Sequence, residues 1–363
     1  MIDKRHRAFL DEIKAAFENR ENDTSDANSR VLIVDGLNTF IRCFAAVPVV
    51  NDDGLHIGGI SGFLRSLGYA IEITQPTRVV IVFDGKGGSV RRKKLYPEYK
   101  ERRNPSVRLN RTAVFADKSH ESEMLGRELF RTLDYLNCLP VTVLALDNVE
   151  ADDVMAYIAM SVLPQSHIFI MSADKDFLQL CSDRVEVWSP TKKKIYTPEL
   201  VKTEYKVAPI NFTLVRAISG KGDKSDNIGG IKGFGTSTIV KKFPMLTEGR
   251  KVELDELFKY ALTFINKPKQ KDKMYERFYA GREIVERNCK LMQLGNVDIS
   301  ASAKSKVLEI VRNPIHSMNK YQIMKMFIED KLYNGIPNME LWLREHWTTI
   351  ERYAQLSQKK GSK

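Results

Sequence analysis

The segment VLIVD, residues 31–35, is a short apolar run that ends in an aspartate. Three later segments share this form: RVVIVFD at 78–84, VTVLALD at 141–147 and HIFIMSAD at 167–174. Runs of this kind are typical of strands that are buried on both faces of a parallel sheet. Because stretches of helical length separate them, the sequence predicts an α/β fold, with a mostly parallel central sheet and helices on both faces.

The pattern changes after about residue 190. The segment VEVWSPTKKKIYT, residues 185–197, predicts a hairpin at the sheet edge, and the patterns beyond Pro198 are helical to the end. The first 20 residues predict an amphipathic helix, residues 21–30 a polar linker, and the final QLSQKKGSK a frayed basic tail. Helices are further predicted at Glu253 to Ile265, Lys271 to Glu286 and Lys320 to Tyr333.

The composition indicates a polyanionic partner. The 363 residues include 57 Lys and Arg against 46 Asp and Glu, a net charge of +11, which favours nucleic acid or an anionic membrane surface. The four cysteines are scattered without a C-x-x-C pair, so we expect a reduced setting and no zinc site. Neither a secretory leader nor an apolar run of membrane-spanning length is present, so we expect no secretion or membrane insertion.

Each of the four strand patterns runs into an aspartate. The carboxyl ends of parallel strands share one sheet edge, where ligand crevices lie, so these carboxylates should converge there. Unpaired carboxylates in one cleft repel and raise each other's pKa, so a cation should sit among them. Each aspartate alone could instead be a turn former or helix N-cap, but four together favour a shared site.

More carboxylates come from NVEADDVMAYI, residues 148–158, SADKDF at 172–177 and the glycine-rich segment described below. On a helix, Glu150 and Asp153 share a face, whereas Asp152 points in another direction. Mg²⁺ and Mn²⁺ prefer oxygen ligands, and two such ions can act on one phosphodiester. We expect Asp152, rather than Asp153, to be the direct ligand. The candidate metal ligands are Asp35, Asp84, Glu150, Asp152, Asp153, Asp174, Asp176, Asp223 and Asp226.

A concentrated basic run, KGGSVRRKKLYPEYKERRNPSVRLNR, occupies residues 86–111 and holds ten basic residues against two acidic ones. Tyr96 and Tyr99 lie within it, and cations interleaved with aromatic rings suit single-stranded nucleic acid. The alternatives are a solvated helix face or a nuclear-localisation-like run. The position directly after Asp84 favours nucleic-acid binding.

A glycine-rich segment, GKGDKSDNIGGIKGFG, occupies residues 220–235. Its six glycines allow tight turns and close approach of backbone N–H groups to an anion, especially where a helix starts after Gly235. It matches neither a dinucleotide fingerprint nor a P-loop. A helix-hairpin-helix-like clamp on duplex phosphates fits it better than a plain connector does.

Taken in order, these stretches resemble the 5′ nuclease superfamily of flap endonucleases and 5′-3′ exonucleases. The segment VWSPTKKK, residues 187–194, is most similar to the phage ribonuclease H branch. Residues 31 to about 245 carry the resemblance. The matching motifs are VDGLN at 34–38, FDGKGGSVRRKKLYPEYKERR at 83–103, VEADDV at 149–154, SADKDF at 172–177 and GDKSDNIGGIKGFG at 222–235.

The resemblance implies a two-metal, structure-specific 5′ nuclease that uses Mg²⁺ or Mn²⁺. It would cleave branched or nicked DNA and RNA:DNA hybrids to leave 5′-phosphates, as in removal of RNA primers during DNA replication. Asp35, Asp84, Glu150 and Asp152 would surround the first ion, with Asp174 nearby. Asp176, Asp223 and Asp226 would serve the second ion, and Asp153 would support the cluster.

The resemblance also implies how DNA is held. Lys100 and Arg103 would contact the scissile phosphate from the base of a helical arch, at about residues 86–118, and Tyr99 would stack on a base. The glycine-rich segment would be a helix-two-turn-helix, which in this family often holds a monovalent cation such as K⁺. The expected DNA-binding residues are Arg91, Arg92, Lys93, Lys94, Tyr99, Lys221, Lys224, Gly230, Lys232, Gly233 and Gly235.

The expected organisation has four parts: an N-terminal extension (1–30), a nuclease core (31–218), the helix-two-turn-helix (219–245) and a C-terminal helical region (246–363). Duplex DNA, a sliding clamp and a single-strand binding protein are candidate partners of the last part. We expect a monomer in the cytoplasm, of the host cell if the chain is phage-encoded. Two alternatives stay open: a PIN-type ribonuclease, which needs fewer acids, and a non-catalytic DNA-junction binder on the same fold.

Overall fold

A six-stranded sheet forms the centre of the molecule, in the order β3-β2-β1-β4-β5-β6. The computed structural model describes residues 27–101, 108–110, 115–266 and 272–361. Neighbouring strands are parallel except for the antiparallel pair β5 and β6, so the parallel strands and the edge hairpin predicted from the sequence are confirmed. The strands are β1 (Arg30–Asp35), β2 (Arg78–Asp84), β3 (Thr142–Leu146), β4 (His167–Met171), β5 (Val185–Ser189) and β6 (Lys194–Tyr196).

Helices cover both faces of the sheet, as the continuous apolar runs predict. Along β1, Val31 and Ile33 pack into one core, and Leu32 and Val34 pack into the other. The helices of the described residues are α1 (Gly36–Ala46), α2 (Gly58–Thr74), α3 (Val90–Leu95), α4 (Lys118–Cys138), α5 (Ala151–Tyr157), α6 (Pro198–Tyr205), α7 (Phe212–Ile218), α8 (Thr236–Lys242), α9 (Leu254–Ile265), α10 (Lys273–Ala280), α11 (Arg282–Met292), α12 (Ala301–Arg312), α13 (Lys320–Glu329) and α14 (Met339–Gly361).

Two predictions for the C-terminal region were wrong, one of a single helix and one of a frayed tail. The predicted helix from Lys271 to Glu286 is two helices that meet at Gly281, where an added Cβ would lie 2.8 Å from the Ile231 side chain. The tail QLSQKKGSK is helical as far as Gly361 because tertiary contacts hold it. Ser357 Oγ accepts the N–H of Ile315 at 3.0 Å, and Gln358 donates to the Ile315 carbonyl at 2.9 Å. The predicted helix at residues 1–20 lies outside the described residues.

The C-terminal helices pack back onto the sheet. Trp342 and Trp347 of α14 are buried in the same core as α1 and α2. At Gly68 of α2 an added Cβ would lie 2.7 Å from Trp342 Nε1, so glycine permits the close approach of α14. The four-part division of the chain stays a prediction. Within the described part of the chain, none of the helices has the length and apolar character needed to cross a membrane.

The order of the strands places a crevice beside β1. From β1 the chain moves outward to β2 and β3, and then returns to the other side of β1 as β4. In sheets of this type, ligands bind at such a reversal, beyond the carboxyl ends of the strands. Asp35 ends β1, and Asp174 follows β4 by three residues. Both therefore lie where a ligand site is expected.

Candidate active site

Asp35 and Asp174 lie on the two sides of this crevice, and each also caps a helical turn. Asp35 accepts a hydrogen bond from the N–H of Asn38 at 3.1 Å and another from Ser172 Oγ at 3.1 Å. Asp174 accepts from the N–H of Asp176 at 2.8 Å. The N-cap interpretation and the placement at one sheet edge therefore both hold.

The first turn of α5 brings further acids to the same edge. Asp84, at the end of β2, accepts the N–H of Ala151 at 2.9 Å and so fixes the start of α5. Asp152 lies in this first turn, close enough to Asp35 and Asp174 for their charges to raise its pKa. We refer to Asp35, Asp152 and Asp174 as the inner acids.

The inner acids are only partly compensated within the described residues, because Lys100 and Arg92 act on Asp152, and Arg216 acts on Asp174, without forming an ion pair. Burial raises the pKa of Asp35 to about 7, and the charges of Asp84 and Asp174 add to this shift. Burial is also the largest cause of the raised pKa of Asp152 and of Asp174. No lysine or arginine in the described part of the chain forms an ion pair with any of the three. The cleft therefore favours a cation.

Glu150 and Asp153, by contrast, are paired with Arg92. Arg92 donates to both oxygens of Asp153, at 2.8 and 2.9 Å, and also to Glu150. Lys100 Nζ lies 2.7 Å from the second oxygen of Glu150. Burial raises the pKa of Glu150, but Arg92 and Lys100 outweigh burial, and the net pKa is lowered.

These contacts contradict two sequence predictions. Asp153 directs both of its oxygens at Arg92, so it is not placed as a metal ligand. Arg92 is only 3% exposed, so it is not placed to bind DNA. The physical reason is that α3 packs one side against α5 and α11, which the run of basic residues does not reveal. The prediction that Asp152 is the direct ligand is not tested by these contacts and stays a prediction.

A second group of acids, the outer acids, consists of Asp176, Asp223 and Asp226. Arg216 of α7 bridges two of them, at 2.8 Å from Asp176 and 2.6 Å from Asp223. Burial, followed by the charge of Asp174, raises the pKa of Asp176 to about 7 despite Arg216. Sequence reasoning missed Arg216. Its only signal is a lone cation in the otherwise uncharged segment NFTLVRAI at 211–218, just before the glycine-rich segment.

The base of the predicted arch reaches Glu150 and one of the outer acids. Tyr99 is 2% exposed, and its hydroxyl lies 2.9 Å from Asp226 and 3.2 Å from Glu150. The prediction that Tyr99 stacks on a base is therefore wrong, because Ile228, Leu291 and Met292 pack around it.

Lys100 lies beside the cleft, and its contact with the scissile phosphate stays a prediction. It adopts a left-handed backbone conformation (φ 59°), and its N–H donates to the carbonyl of Asp226 at 3.0 Å. Arg103 lies outside the described residues, as do residues 102–107 and 111–114 of the predicted arch. In the described part of the arch, Lys93 and Lys94 are exposed, and Arg91 is half-buried beside Asp153 and Asp298.

The glycine-rich segment connects α7 to α8, which begins directly after Gly235 as predicted. Lys221, Lys224 and Lys232 are exposed on it, and Gly233 has a φ of 94°. At Gly230 an added Cβ would lie 1.9 Å from the Ser219 carbonyl oxygen. Close packing against Ser219 is therefore sufficient to explain why residue 230 is glycine. The K⁺ site in this segment stays a prediction.

Comparisons with known proteins decide the family. The model of the 5′-3′ exonuclease N-terminal resolvase-like domain matches residues 30–206. A 5′-3′ exonuclease of Bacillus subtilis is 32% identical over 223 residues, which are 59% of this chain and 69% of that protein. The chain belongs to the 5′ nuclease superfamily. A 5′-3′ exonuclease of Aquifex aeolicus is 32% identical over 216 residues, 58% of this chain and 68% of that protein.

Other relatives of this 5′ nuclease are longer or more distant. DNA polymerase I of Bacillus caldotenax is 31% identical over 219 residues, 58% of this chain, but the match spans only 23% of the polymerase. A variant of the bacteriophage T5 flap endonuclease, crystallised with DNA and metal ions, has a TM-score of 0.58 and 20% identity. That match covers 84% of this chain and 99% of the T5 chain and shows the shared fold.

The acids of this 5′ nuclease suit divalent ions in donor type and charge. All of the donors are carboxylate oxygens, which Mg²⁺ and Mn²⁺ prefer, and the inner acids lack a cationic partner among the described residues. In that same part of the chain, no three His, Cys, Asp or Glu side chains are grouped closely enough to hold an ion as they stand. The acids therefore fit divalent ions in donor chemistry and in charge, but their present spacing does not form an ion site.

The raised pKa values predict how stability depends on pH without divalent ions. A carboxyl whose pKa rises from 3.8 to about 7 on folding, such as Asp35, stabilises the folded state below pH 4 and loses this contribution as pH rises through 7. In EDTA, the melting temperature should therefore be higher at pH 5 than at pH 8. Asp35→Asn should gain on the order of 4 kcal/mol over wild type at pH 8 and little at pH 4. Equal pH profiles for the two proteins would contradict the shift.

Proposed function

We propose that this 5′ nuclease is a divalent-metal-dependent hydrolase that acts as a 5′-3′ exonuclease and flap endonuclease on branched or nicked DNA. The observation that carries the proposal is that the three converging inner acids have no ion-pair partner among the described residues, while Glu150 holds Lys100 next to them. The relatives support it, because two are named 5′-3′ exonucleases and the T5 flap endonuclease was crystallised with DNA and metal ions.

The inner acids, with Asp84, would hold one ion, and the outer acids would serve a second. Glu150 was expected among the ligands of the first ion, but its two oxygens already accept from Arg92 and Lys100, so it would support the site by holding Lys100. Bound there, Mg²⁺ or Mn²⁺ would supply Lewis-acid chemistry that activates water and stabilises charge on the phosphate. A related T5 5′-exonuclease has been solved with divalent zinc ions bound. Arg216 would keep Asp176 and Asp223 oriented, because it bridges them.

The chain's own cations would orient the DNA. Lys100 would place its ammonium group against the negative charge that develops on the scissile phosphate, while Glu150 holds it in position. The exposed lysines of the glycine-rich segment (Lys221, Lys224 and Lys232) would bind duplex phosphates. Lys93 and Lys94 of α3 would bind the phosphates of the 5′ strand.

We further propose that the natural substrates include RNA:DNA hybrids, as in removal of primers during DNA replication. The similarity to DNA polymerase I of Bacillus caldotenax supports a role in replication. A 5′-flap duplex whose flap is either DNA or RNA tests this proposal. We expect both flaps to be cleaved in Mg²⁺, and an intact RNA flap would limit the enzyme to DNA.

A panel of substrates tests the function against its two alternatives. The wild-type protein is mixed with Mg²⁺ and a 5′-flap DNA, a blunt duplex or a free single-stranded RNA. We expect the 5′-flap to be cleaved fastest, with 5′-phosphate products. Preferred cleavage of the free RNA would favour a PIN-type ribonuclease. Tight binding of the flap with every substrate left intact would favour a non-catalytic junction binder.

The exposed lysines of the arch should contribute to the salt dependence of binding. Lys93→Gln with Lys94→Gln removes two phosphate contacts, so the slope of log K against log salt should flatten by about 1.5. Arg92 is left unchanged because it is buried. The matched control is Lys202→Gln with Lys206→Gln at the carboxyl end of α6, where both lysines are exposed, and it should leave the slope unchanged. An unchanged slope in the arch variant would indicate a solvated helix face instead.

A further inference from the structure

All three guanidinium nitrogens of Arg92 donate hydrogen bonds to protein partners. Its Nε donates to the carbonyl of Leu291 at 2.8 Å, at the end of α11. Its two terminal nitrogens bind Asp153 at 2.8 and 2.9 Å, and one of them also binds Glu150. With 3% of its surface exposed, the side chain cannot meet a DNA strand. Its contribution to the reaction must therefore come through these partners.

The two carboxylates lie three residues apart at the start of α5, Glu150 as its N-cap residue and Asp153 in its first turn. A planar guanidinium that binds both fixes the rotation of this turn about the helix axis, because its donors have a rigid fork geometry. Asp152 precedes Asp153 by one residue, which turns it about 100° round the helix from the contact with Arg92. It also lies close enough to Asp174 and Asp35 for their charges to raise its pKa. The direction of Asp152 therefore depends on the hydrogen bonds that join Arg92 to Glu150 and Asp153.

The hydrogen bond between Arg92 and Glu150 also affects the position of Lys100. Arg92 binds one oxygen of Glu150, and Lys100 Nζ lies 2.7 Å from the other oxygen. If Glu150 were free to rotate, Lys100 would lose the partner that holds it beside the cleft. Arg92 also ties this assembly to Leu291 on α11, so α3, α5 and α11 meet at one buried charge.

We propose that Arg92 is a positioning residue for the 5′ nuclease reaction. Through Asp153 and Glu150 it orients Asp152 towards the proposed metal site, and through Glu150 it holds Lys100 beside the cleft. This inference rests on the proposed function. It goes beyond charge neutralisation, because a residue that only neutralised Asp153 would become dispensable once Asp153 was neutral. The two roles can therefore be separated by experiment.

The test compares Arg92→Gln with the double variant Arg92→Gln/Asp153→Asn, which leaves no uncompensated charge at Asp153. Three quantities are measured: the melting temperature in EDTA, the Mn²⁺ affinity by calorimetry without DNA, and kcat and KM on a 5′-flap. We expect Arg92→Gln to lower the melting temperature and the double variant to recover much of it. In both, Mn²⁺ affinity should fall at least tenfold and kcat at least 30-fold, with KM changing less than threefold, as order-of-magnitude expectations.

Two further variants sharpen the result. Arg92→Lys keeps the charge but not the fork, so it should fold and still show reduced Mn²⁺ affinity. Arg78→Gln is the matched control, because Arg78 is equally buried at the opposite end of β2 and binds Thr142. It should lower stability without changing Mn²⁺ affinity. Mn²⁺ affinity and kcat within twofold of wild type in the double variant would overturn the proposal.

The outcomes also separate this proposal from the proposed function. A wild-type protein that binds Mn²⁺ but leaves the 5′-flap intact would overturn the function alone. The calorimetry of the Arg92 variants would then still decide whether Arg92 positions the metal site. A wild-type protein that binds no Mn²⁺ would overturn both.

Discussion

Asp152→Asn is expected to reduce cleavage of a 5′-flap substrate by a factor on the order of 10³, because in the proposed function Asp152 is a charged oxygen ligand of the metal ion. The fold should survive. The pKa of Asp152 is raised mainly by burial, so its charge is costly in the folded protein, and the melting temperature in EDTA should not fall. Single-turnover cleavage in Mg²⁺ and thermal melting measure the two effects.

The neighbouring substitution Asp153→Asn is the matched control and should behave in the opposite way. It leaves the buried Arg92 with a weakened partner, so the free energy of unfolding should fall by about 3 kcal/mol. Cleavage at low temperature should remain within about tenfold of wild type, since Arg92 still binds Glu150. If Asp153→Asn abolished cleavage and Asp152→Asn did not, the roles assigned to the two residues would be reversed.

Asp176→Asn should lower turnover by a factor on the order of 10² and leave flap binding in Ca²⁺ close to wild type. Asp176 is one of the outer acids, and its charge is already costly beside Asp174. The substitution weakens the ion pair between residue 176 and Arg216, while Arg216 keeps its contact with Asp223 at 2.6 Å. Turnover is followed by rapid quench and binding by fluorescence anisotropy.

The outcome for Asp176→Asn separates a metal-binding role from a DNA-binding role. Weaker flap binding with normal turnover of bound substrate would place Asp176 in DNA binding. Unchanged turnover and binding would remove it from the second metal site. Asp183→Asn, an exposed acid at the amino end of β5, is the control for loss of charge alone.

The sheet could be predicted from the sequence because its signal is local. VLIVD is apolar throughout, β1 is buried on both faces, and the aspartate that follows must lie at the carboxyl edge. The convergence of Asp35, Asp84 and Asp174 on one edge follows from parallel strands alone. The sequence also places Asp152 and Asp153 at the start of a helix, which the structure confirms.

The roles of the basic and aromatic side chains could not be predicted in the same way. Nothing local distinguishes Arg92 from Lys93, yet one is buried and the other exposed, because α11, about 200 residues further along the chain, covers only one side of α3. The same helix ends at Leu291 and Met292, which bury Tyr99. Arg216 was missed because its two carboxylate partners come from different segments.

Tertiary contacts also explain the two errors in the C-terminal helices. The polar tail has little reason to be ordered alone, but Ser357 and Gln358 bind the backbone of Ile315. Gly281 is compatible with one long helix, yet the joint packs on Ile231 of the glycine-rich segment. Local patterns therefore located helices better than they located helix ends.

The most direct test of the central claim is cleavage of a 5′-flap DNA by wild-type protein and Asp152→Asn, each in Mg²⁺ and in EDTA. Product length on a denaturing gel and the presence of a 5′-phosphate are the two readouts. We predict that only the wild-type protein in Mg²⁺ cuts near the base of the flap and leaves a 5′-phosphate. Equal cleavage in EDTA, or an intact flap with folded wild-type protein in Mg²⁺, would contradict a metal-dependent nuclease centred on the inner acids.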